Sequence, residues 1–258
     1  MQALTLSASR GWRWLSEGFG IYRKKQLTLT LVVMGYWILM AFINSVPLIG
    51  QIAATLLIPV FSVSLMNICR LIEQGLTPPP QLLFSGFQKN VRQLIFLGFI
   101  YMAFSIGIFG ISALLDGGAL FKFVVLGQKM DEQVVASGNV MLGGVTATIL
   151  FLPLMMSFWF APVLVAWHDL PTGKSLFFSF VAFTRNWRAF LTYFATVMVF
   201  GAFIPGLTLG LLSAMVSDGG SIFSMLFTIL IVLVLLPTLY ASFYVSYRDV
   251  FVTIDDDA

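Results

Sequence analysis

The chain contains one histidine, His168, and one cysteine, Cys69. These two types most often carry nucleophilic, general-base or metal chemistry. A Ser-His-Asp or Cys-His relay needs a histidine facing its partners, and a zinc site needs three or four clustered His, Cys or carboxylate ligands. His168 stands beside Asp169, but adjacent helix positions do not face each other, so the pair is no preformed dyad. Cys69, next to Arg70, can neither close an internal disulfide nor found a metal cluster. No Gly-x-Gly-x-x-Gly, P-loop or His-Glu-x-x-His spacing occurs. These residues predict a chain that is not an enzyme and carries no catalytic, cofactor-binding or metal-binding residue.

The elements available to position any chemistry are apolar. Of the 258 residues, 59% are apolar and only 10% are charged, with a mean hydropathy of +0.96. A soluble chain is about half apolar and a quarter charged. Stretches 26–69, 93–115, 133–168, 189–217 and 219–247 contain no Asp, Glu, Lys or Arg. Hydrocarbon about 30 Å thick takes roughly 20 helical residues to cross. A soluble enzyme, a nucleic-acid binder and a disulfide-stapled domain are excluded. Asn44-Ser45-Val46-Pro47 divides the first stretch, because proline disfavours helix at the residue before it. The expected spans are 27–46, 48–69, 92–115, 142–167, 188–214 and 221–247. Apart from Arg92 and Arg188 at the first position of their spans, none carries an Asp, Glu, Lys or Arg, which disfavours ion-coupled transport.

Lys and Arg concentrate between alternate spans and at the ends: Arg10 to Lys25, Arg70, Lys89 with Arg92, Lys174 to Arg188, and Arg248. The positive-inside rule places these in the bacterial cytoplasm, so six spans put both termini there. Residues 1–25 lack the apolar core of a cleavable signal, so the first span is expected to start export.

The chain also repeats itself. Each odd-numbered span follows a small residue, an aromatic or aliphatic, and a basic cluster. The copies are Gly20-Ile21-Tyr22-Arg23-Lys24-Lys25, Gly86-Phe87-Gln88-Lys89-Asn90-Val91-Arg92 and Ala182-Phe183-Thr184-Arg185-Asn186-Trp187-Arg188. Each even-numbered span carries a proline after aliphatics: Pro59, Pro153 and Pro237. Ser64 and Ser242 follow by five residues, Arg70 and Arg248 by eleven; the middle copy departs, with Ser157 nearby. Upstream lie helical stripes: Trp12, Leu15, Phe19 and Tyr22; Phe84, Phe87 and Val91 opposing Gln81, Ser85, Gln88 and Arg92; and Leu176, Phe180, Phe183 and Trp187. Apolar aromatics on one side and cations at the end predict a helix in the interface plane.

The expected fold is all-α. It is a polytopic six-helix transmembrane bundle, one membrane domain over 1–258, built from tandem units 10–75, 78–169 and 171–251. Each unit is an interfacial helix plus a transmembrane hairpin, and the three are related by an axis along the membrane normal. The outer connection 116–140 holds Leu120 to Leu126, apolar yet too short to span, which predicts a short helix on the outer leaflet.

Arg23, Lys24, Lys25, Lys89, Arg92, Arg185 and Arg188 are the expected lipid-headgroup contacts, since juxtamembrane cations attract anionic lipid. Pro59, Pro153 and Pro237 would kink the inner spans around a crevice lined by Ser64, Asn67, Ser157 and Ser242. Hydroxyls near a proline can also satisfy the carbonyls it frees. Gly206, Gly210 and Ala214, like Ala103 and Gly107, offer faces for close helix approach. Trp12, Trp14 and Trp187 fall where an aromatic belt is expected.

Gly11-Trp12-Arg13-Trp14-Leu15-Ser16-Glu17-Gly18-Phe19, Phe158-Trp159-Phe160-Ala161-Pro162, Arg185-Asn186-Trp187-Arg188 and Tyr247-Arg248-Asp249-Val250-Phe251 resemble an uncharacterised proteobacterial six-span inner-membrane family over nearly the whole chain. More distantly, a basic cluster feeding into a span resembles the membrane domain of glycerophosphodiester phosphodiesterases. Neither resemblance implies an activity.

The reading that follows is a non-enzymatic inner-membrane protein whose central crevice binds or passes a lipid or other apolar molecule. Membrane lipids are its expected partners. The alternatives are an accessory or assembly subunit, as a homo-oligomer or against a partner membrane protein, and a passive pore or small-solute permease.

Overall fold

The computed structural model describes residues 2–128, 139–215 and 220–252. Among them, six helical segments are long and apolar enough to cross a membrane: Gln26–Asn44, Ile49–Glu73, Val91–Asp116, Asn139–His168, Trp187–Leu211 and Met225–Val250. All six expected spans are present. Of the outer connection 116–140, residues 129–138 lie outside the described residues.

The helices are α1 (Arg10–Lys24), α2 (Gln26–Asn44), α3 (Ile49–Glu73), α4 (Val91–Asp116), α5 (Ala119–Leu126), α6 (Asn139–Phe158), α7 (Ala161–His168), α8 (Thr172–Arg185), α9 (Trp187–Met198), α10 (Ile204–Met215) and α11 (Gly220–Val250). Two-residue strands, β1 (Gln2–Ala3) and β2 (Phe251–Val252), pair antiparallel. The turn at Pro47 falls as expected, with Leu48 in the left-handed region at φ 62°. The Asn44 amide and the Ser45 hydroxyl donate to the Met40 and Phe42 carbonyls that end α2, as a helix C-terminus requires.

Two spans are less regular than expected. The fourth is broken at Trp159–Phe160, because Pro162 at the start of α7 cannot donate into the preceding turn. The Phe160 amide donates instead to Ser179 Oγ at 2.9 Å, and that hydroxyl donates to the Met156 carbonyl. The fifth passes through a π-helical turn, Val199–Phe203, which ends two residues before Pro205. An inserted residue of this kind is how a helix absorbs a local mismatch.

The residues fall into two compact units. One comprises Met1–Ser45, Phe61–Lys89 and Ala182–Ala258; the other comprises Val46–Val60 and Asn90–Val181.

In the first unit α1 packs on α11 and α9, and small residues set its buried face. Gly11, Trp14, Leu15, Gly18, Ile21 and Tyr22 are buried, whereas Trp12 and Phe19 of the expected stripe are exposed. Trp14, expected in an interfacial belt, is fully buried. The second stripe is corrected as well. Residues Pro80–Phe87 form a 3₁₀ helix, and Asn90, just before α4, takes the left-handed region at φ 56°. With three residues per turn the faces change: Ser85 and Gly86 are buried, while Phe84 and Phe87 are exposed. In the N-terminal part of the unit, Asn186 Oδ1 accepts the Leu6 amide, and its Nδ2 donates to the Leu4 and Ala182 carbonyls. Asn186→Ala strips partners from both arm groups and is expected to cost about 1–3 kcal/mol. Proteolysis of residues 1–9, followed against wild type, checks this: faster cleavage is the expected result.

In the second unit α4 packs on α6. Gly98 brings the α4 backbone onto Leu56, where an added Cβ would lie 2.7 Å from that residue's Cα. Asn90 Nδ2 donates to the Val165 carbonyl and to Asp169 Oδ1 at 2.7 Å. Leu120 to Leu126 lie in the short helix α5, whose start is capped by Asp116 accepting the Gly118 and Leu120 amides. On α8 Ser175 and Ser179 are buried; of the stripe Leu176, Phe180, Phe183 and Trp187, Phe183 is buried, Leu176 and Phe180 are half-buried and Trp187 is exposed.

Candidate functional site

Two apolar grooves, one in each unit, stand out among the described residues; a smaller one of about 370 Å³ lies in the first unit between α2 and the 3₁₀ segment. The groove of the first unit is about 490 Å³ and runs between α1, α11 and the π turn; its walls include Trp12, Ser16, Phe19, Phe200, Leu230 and Thr238. The groove of the second unit is about 620 Å³ and runs between α4 and α6, with Ala103, Gly107, Pro153, Leu154, Ser157 and Phe158 among its walls. Both volumes fall within the roughly 300–1,000 Å³ of small-molecule sites.

The proline and hydroxyl positions divide between groove and packing. Pro153 and Ser157 line the second groove, where Ser157 Oγ donates to the Pro153 carbonyl. Ser64, Pro59, Pro237 and Ser242 are buried. Ser64 Oγ accepts the Gly86 amide at 2.8 Å, and Asn67 Nδ2 donates to Ser85 Oγ; together they hold the 3₁₀ segment. Ser242 bonds the Tyr193 hydroxyl at 2.7 Å and donates to the Leu239 carbonyl. Pro237 has no N–H for the carbonyl four residues earlier. That carbonyl, on Leu233, accepts from Thr30 on the neighbouring α2 at 3.3 Å. The freed acceptor is thus met across helices, and not by a serine one turn from the proline.

Of the basic positions, Arg23, Lys24, Lys89, Arg92, Arg185 and Arg188 are exposed and Lys25 is half-buried. Lys24 Nζ donates to the Glu73 carbonyl. The Arg188 guanidinium lies over the Trp187 ring, 5.4 Å from its centroid.

An ion-pair network in the first unit had no counterpart in the sequence reading. Asp249, almost buried, accepts from Arg10 Nη2 at 2.5 Å, from Arg10 Nε at 2.7 Å and from the Trp14 indole at 3.0 Å. Arg248 pairs with Glu17 at 2.5 Å, with Asp249 at 3.1 Å and with Glu73. Glu73 also accepts the Tyr244 hydroxyl at 2.6 Å. The network ties α1, the end of α3 and the end of α11 together. The sequence offers one signal: Glu73 and Asp249 are scarce acids close to Arg70 and Arg248 at helix ends, while Glu17, in the middle of α1, carries none. A positive-inside count gives acids little weight, so it passes over them.

Six membrane-length apolar helices with cations gathered at their connections define a multi-pass membrane protein. The chain is 34% identical over 257 residues to a curated Burkholderia thailandensis protein named "Probable inner membrane protein", covering 97% of this chain and 94% of that one. The chain belongs to that inner-membrane protein family. No family model and no solved structure matches it. The likeness to the membrane domain of glycerophosphodiester phosphodiesterases finds no support in these comparisons.

Proposed function

We propose that this inner-membrane protein binds or passes a lipid or other apolar molecule without catalysing its conversion, with both termini in the cytoplasm. The observation that carries the reading is the pair of grooves, each of ligand size and each walled almost wholly by apolar side chains. A water-filled pore would need a polar lining. The hydroxyls in these walls bond their own helices instead: Ser16 to the Arg13 carbonyl, Thr238 to Val234 and Ser157 to Pro153. The exposed cations Arg23, Lys24, Lys89, Arg92, Arg185 and Arg188 suit anionic headgroups.

The tandem units 10–75, 78–169 and 171–251 belong to the same proposal. Three contacts support them. Ser64 holds Gly86, Ser179 holds Phe160, and Ser242 meets Gly18 where a Cβ would stand 2.6 Å from its backbone nitrogen. In each case a serine and a close backbone join an even-numbered span to an interfacial segment.

Native mass spectrometry of protein extracted in mild detergent tests the function. The expected result is a stoichiometric lipid or small apolar adduct. A co-purifying protein in its place would move the assignment to an accessory subunit, and a bare chain overturns the ligand-handling reading.

A further inference from the structure

The groove of the first unit carries more information than its volume. On α1, Trp12, Ser16, Phe19 and Arg23 follow one another by four, three and four residues, which places them along one face. The first three are groove walls. Arg23 therefore lies about 6 Å along the axis beyond the last of them, and it is exposed. The acid on the same helix, Glu17, is engaged by Arg10 and Arg248, so it does not neutralise Arg23. The opposite wall is set by the π turn, which brings Phe200 to 5.7 Å from the Trp12 ring. Gly201, in the same turn, leaves room for Leu235: an added Cβ would lie 3.2 Å from that side chain.

The hydroxyls of Ser16 and Thr238 donate to their own helix carbonyls, so the walls select by shape and apolarity. A ligand for such a site has a flexible apolar body and, one helical turn past the aromatic wall, a negative charge. The geometry points to a site for one acyl chain of an anionic membrane lipid, the chain lying between α1 and α11 and the phosphate against Arg23. This inference rests on the lipid-handling reading and names its ligand class and contacts.

The test uses the full chain in detergent micelles carrying equal amounts of phosphatidylglycerol and phosphatidylcholine of one chain length, read by native mass spectrometry. Wild type is expected to retain phosphatidylglycerol in preference to phosphatidylcholine. Ser16→Phe fills the groove from α1 and should lower bound lipid at least tenfold with an unchanged circular dichroism spectrum. Leu230→Trp obstructs the opposite wall and is the second arm, should Ser16→Phe fail to fold. Arg23→Gln keeps the groove and should reduce the preference for phosphatidylglycerol about fivefold, the effect of one juxtamembrane cation. Lipid retained equally by folded Ser16→Phe and Leu230→Trp overturns the site while leaving the lipid-handling reading in place. A preference unchanged in Arg23→Gln overturns the headgroup assignment. Wild type free of lipid overturns both, and a lipid-free dimer lost in Ser16→Phe assigns the groove to a second copy.

Discussion

Asp249→Ala is expected to lower the thermal midpoint in detergent by roughly 6–12 °C, corresponding to about 3 kcal/mol. The aspartate is nearly buried and serves two guanidinium groups and one indole. Arg10 reaches it through Nε and Nη2, Arg248 through Nη2, and Trp14 through Nε1. Trp14 is fully buried, so its N–H loses an acceptor where no water replaces it, a loss of about 1–3 kcal/mol. Removing one partner of a fully buried ion pair costs about 3–5 kcal/mol, whereas exposed pairs contribute below about 1 kcal/mol. Arg10 is 24% exposed and Arg248 36%, so the ionic part falls between these limits. Asp249→Asn separates the two contributions. It retains an acceptor for the indole and loses the charge, so its midpoint should lie between wild type and Asp249→Ala. Equal midpoints for the two variants would show that the indole bond contributes nothing. Glu73→Gln, which keeps an acceptor for the Tyr244 hydroxyl, should cost less than either.

The spans were legible because crossing hydrocarbon depends on a sum over some 20 residues, and no single side chain reverses it. Pro47 divided the first apolar stretch for an equally local reason, its fixed φ and missing N–H. Pro162 has the same chemistry, yet residues 142–167 read as one span with no break at Trp159–Phe160. What completes that break is Ser179, nineteen residues away, which takes the freed Phe160 amide. Helix contact faces are less visible in the sequence. Trp12 and Phe19 read as the apolar side of a helix in the interface plane, which says nothing of where α1 meets its neighbours. In a membrane the close approach of small residues governs that contact. The buried face is accordingly the one carrying Gly11 and Gly18, and on α8 the one carrying Ser175 and Ser179. The ion network was hidden by distance, since Arg10 and Asp249 are 239 residues apart. For the candidate groove, Pro153 and Ser157 were identified from spacing and do line a cavity. Ser64 and Ser242, five residues after their prolines where Ser157 is four after its own, are taken up in packing; one residue turns a side chain by about 100° around the helix.

Gly18→Val is expected to abolish recovery of folded protein, whereas Gly20→Val, two residues along the same helix, should be recovered at the wild-type level. The contrast follows from the backbone separation of α1 and α11. A Cβ on Gly18 would stand 2.6 Å from the Ser242 nitrogen and 2.7 Å from its Cα, distances that atoms do not adopt, whereas one on Gly20 meets nothing within 4 Å. The obstruction is main chain, so no side-chain rotation relieves it; α1 must lift from α11. Overpacking a core side chain costs about 1–3 kcal/mol, and here the displacement also strains contacts around it. Ser242 is held by the Tyr193 hydroxyl, and the Asp249 network lies on the same two helices. Lifting α1 would loosen both. Gly18→Ala is the graded form: a single methyl in the same place should still fold at reduced yield and lower its midpoint by several degrees. Gly and Ala have similar freedom from polar chemistry and differ in helix propensity by about 1 kcal/mol in favour of Ala, so propensity alone predicts the opposite sign. Size-exclusion recovery and thermal midpoints of Gly18→Ala, Gly18→Val and Gly20→Val decide the matter. A stabilised Gly18→Ala would mean that α1 does not sit against α11 in the membrane as closely as the Ser242 contact requires. The apolar groove between them would then lose its wall.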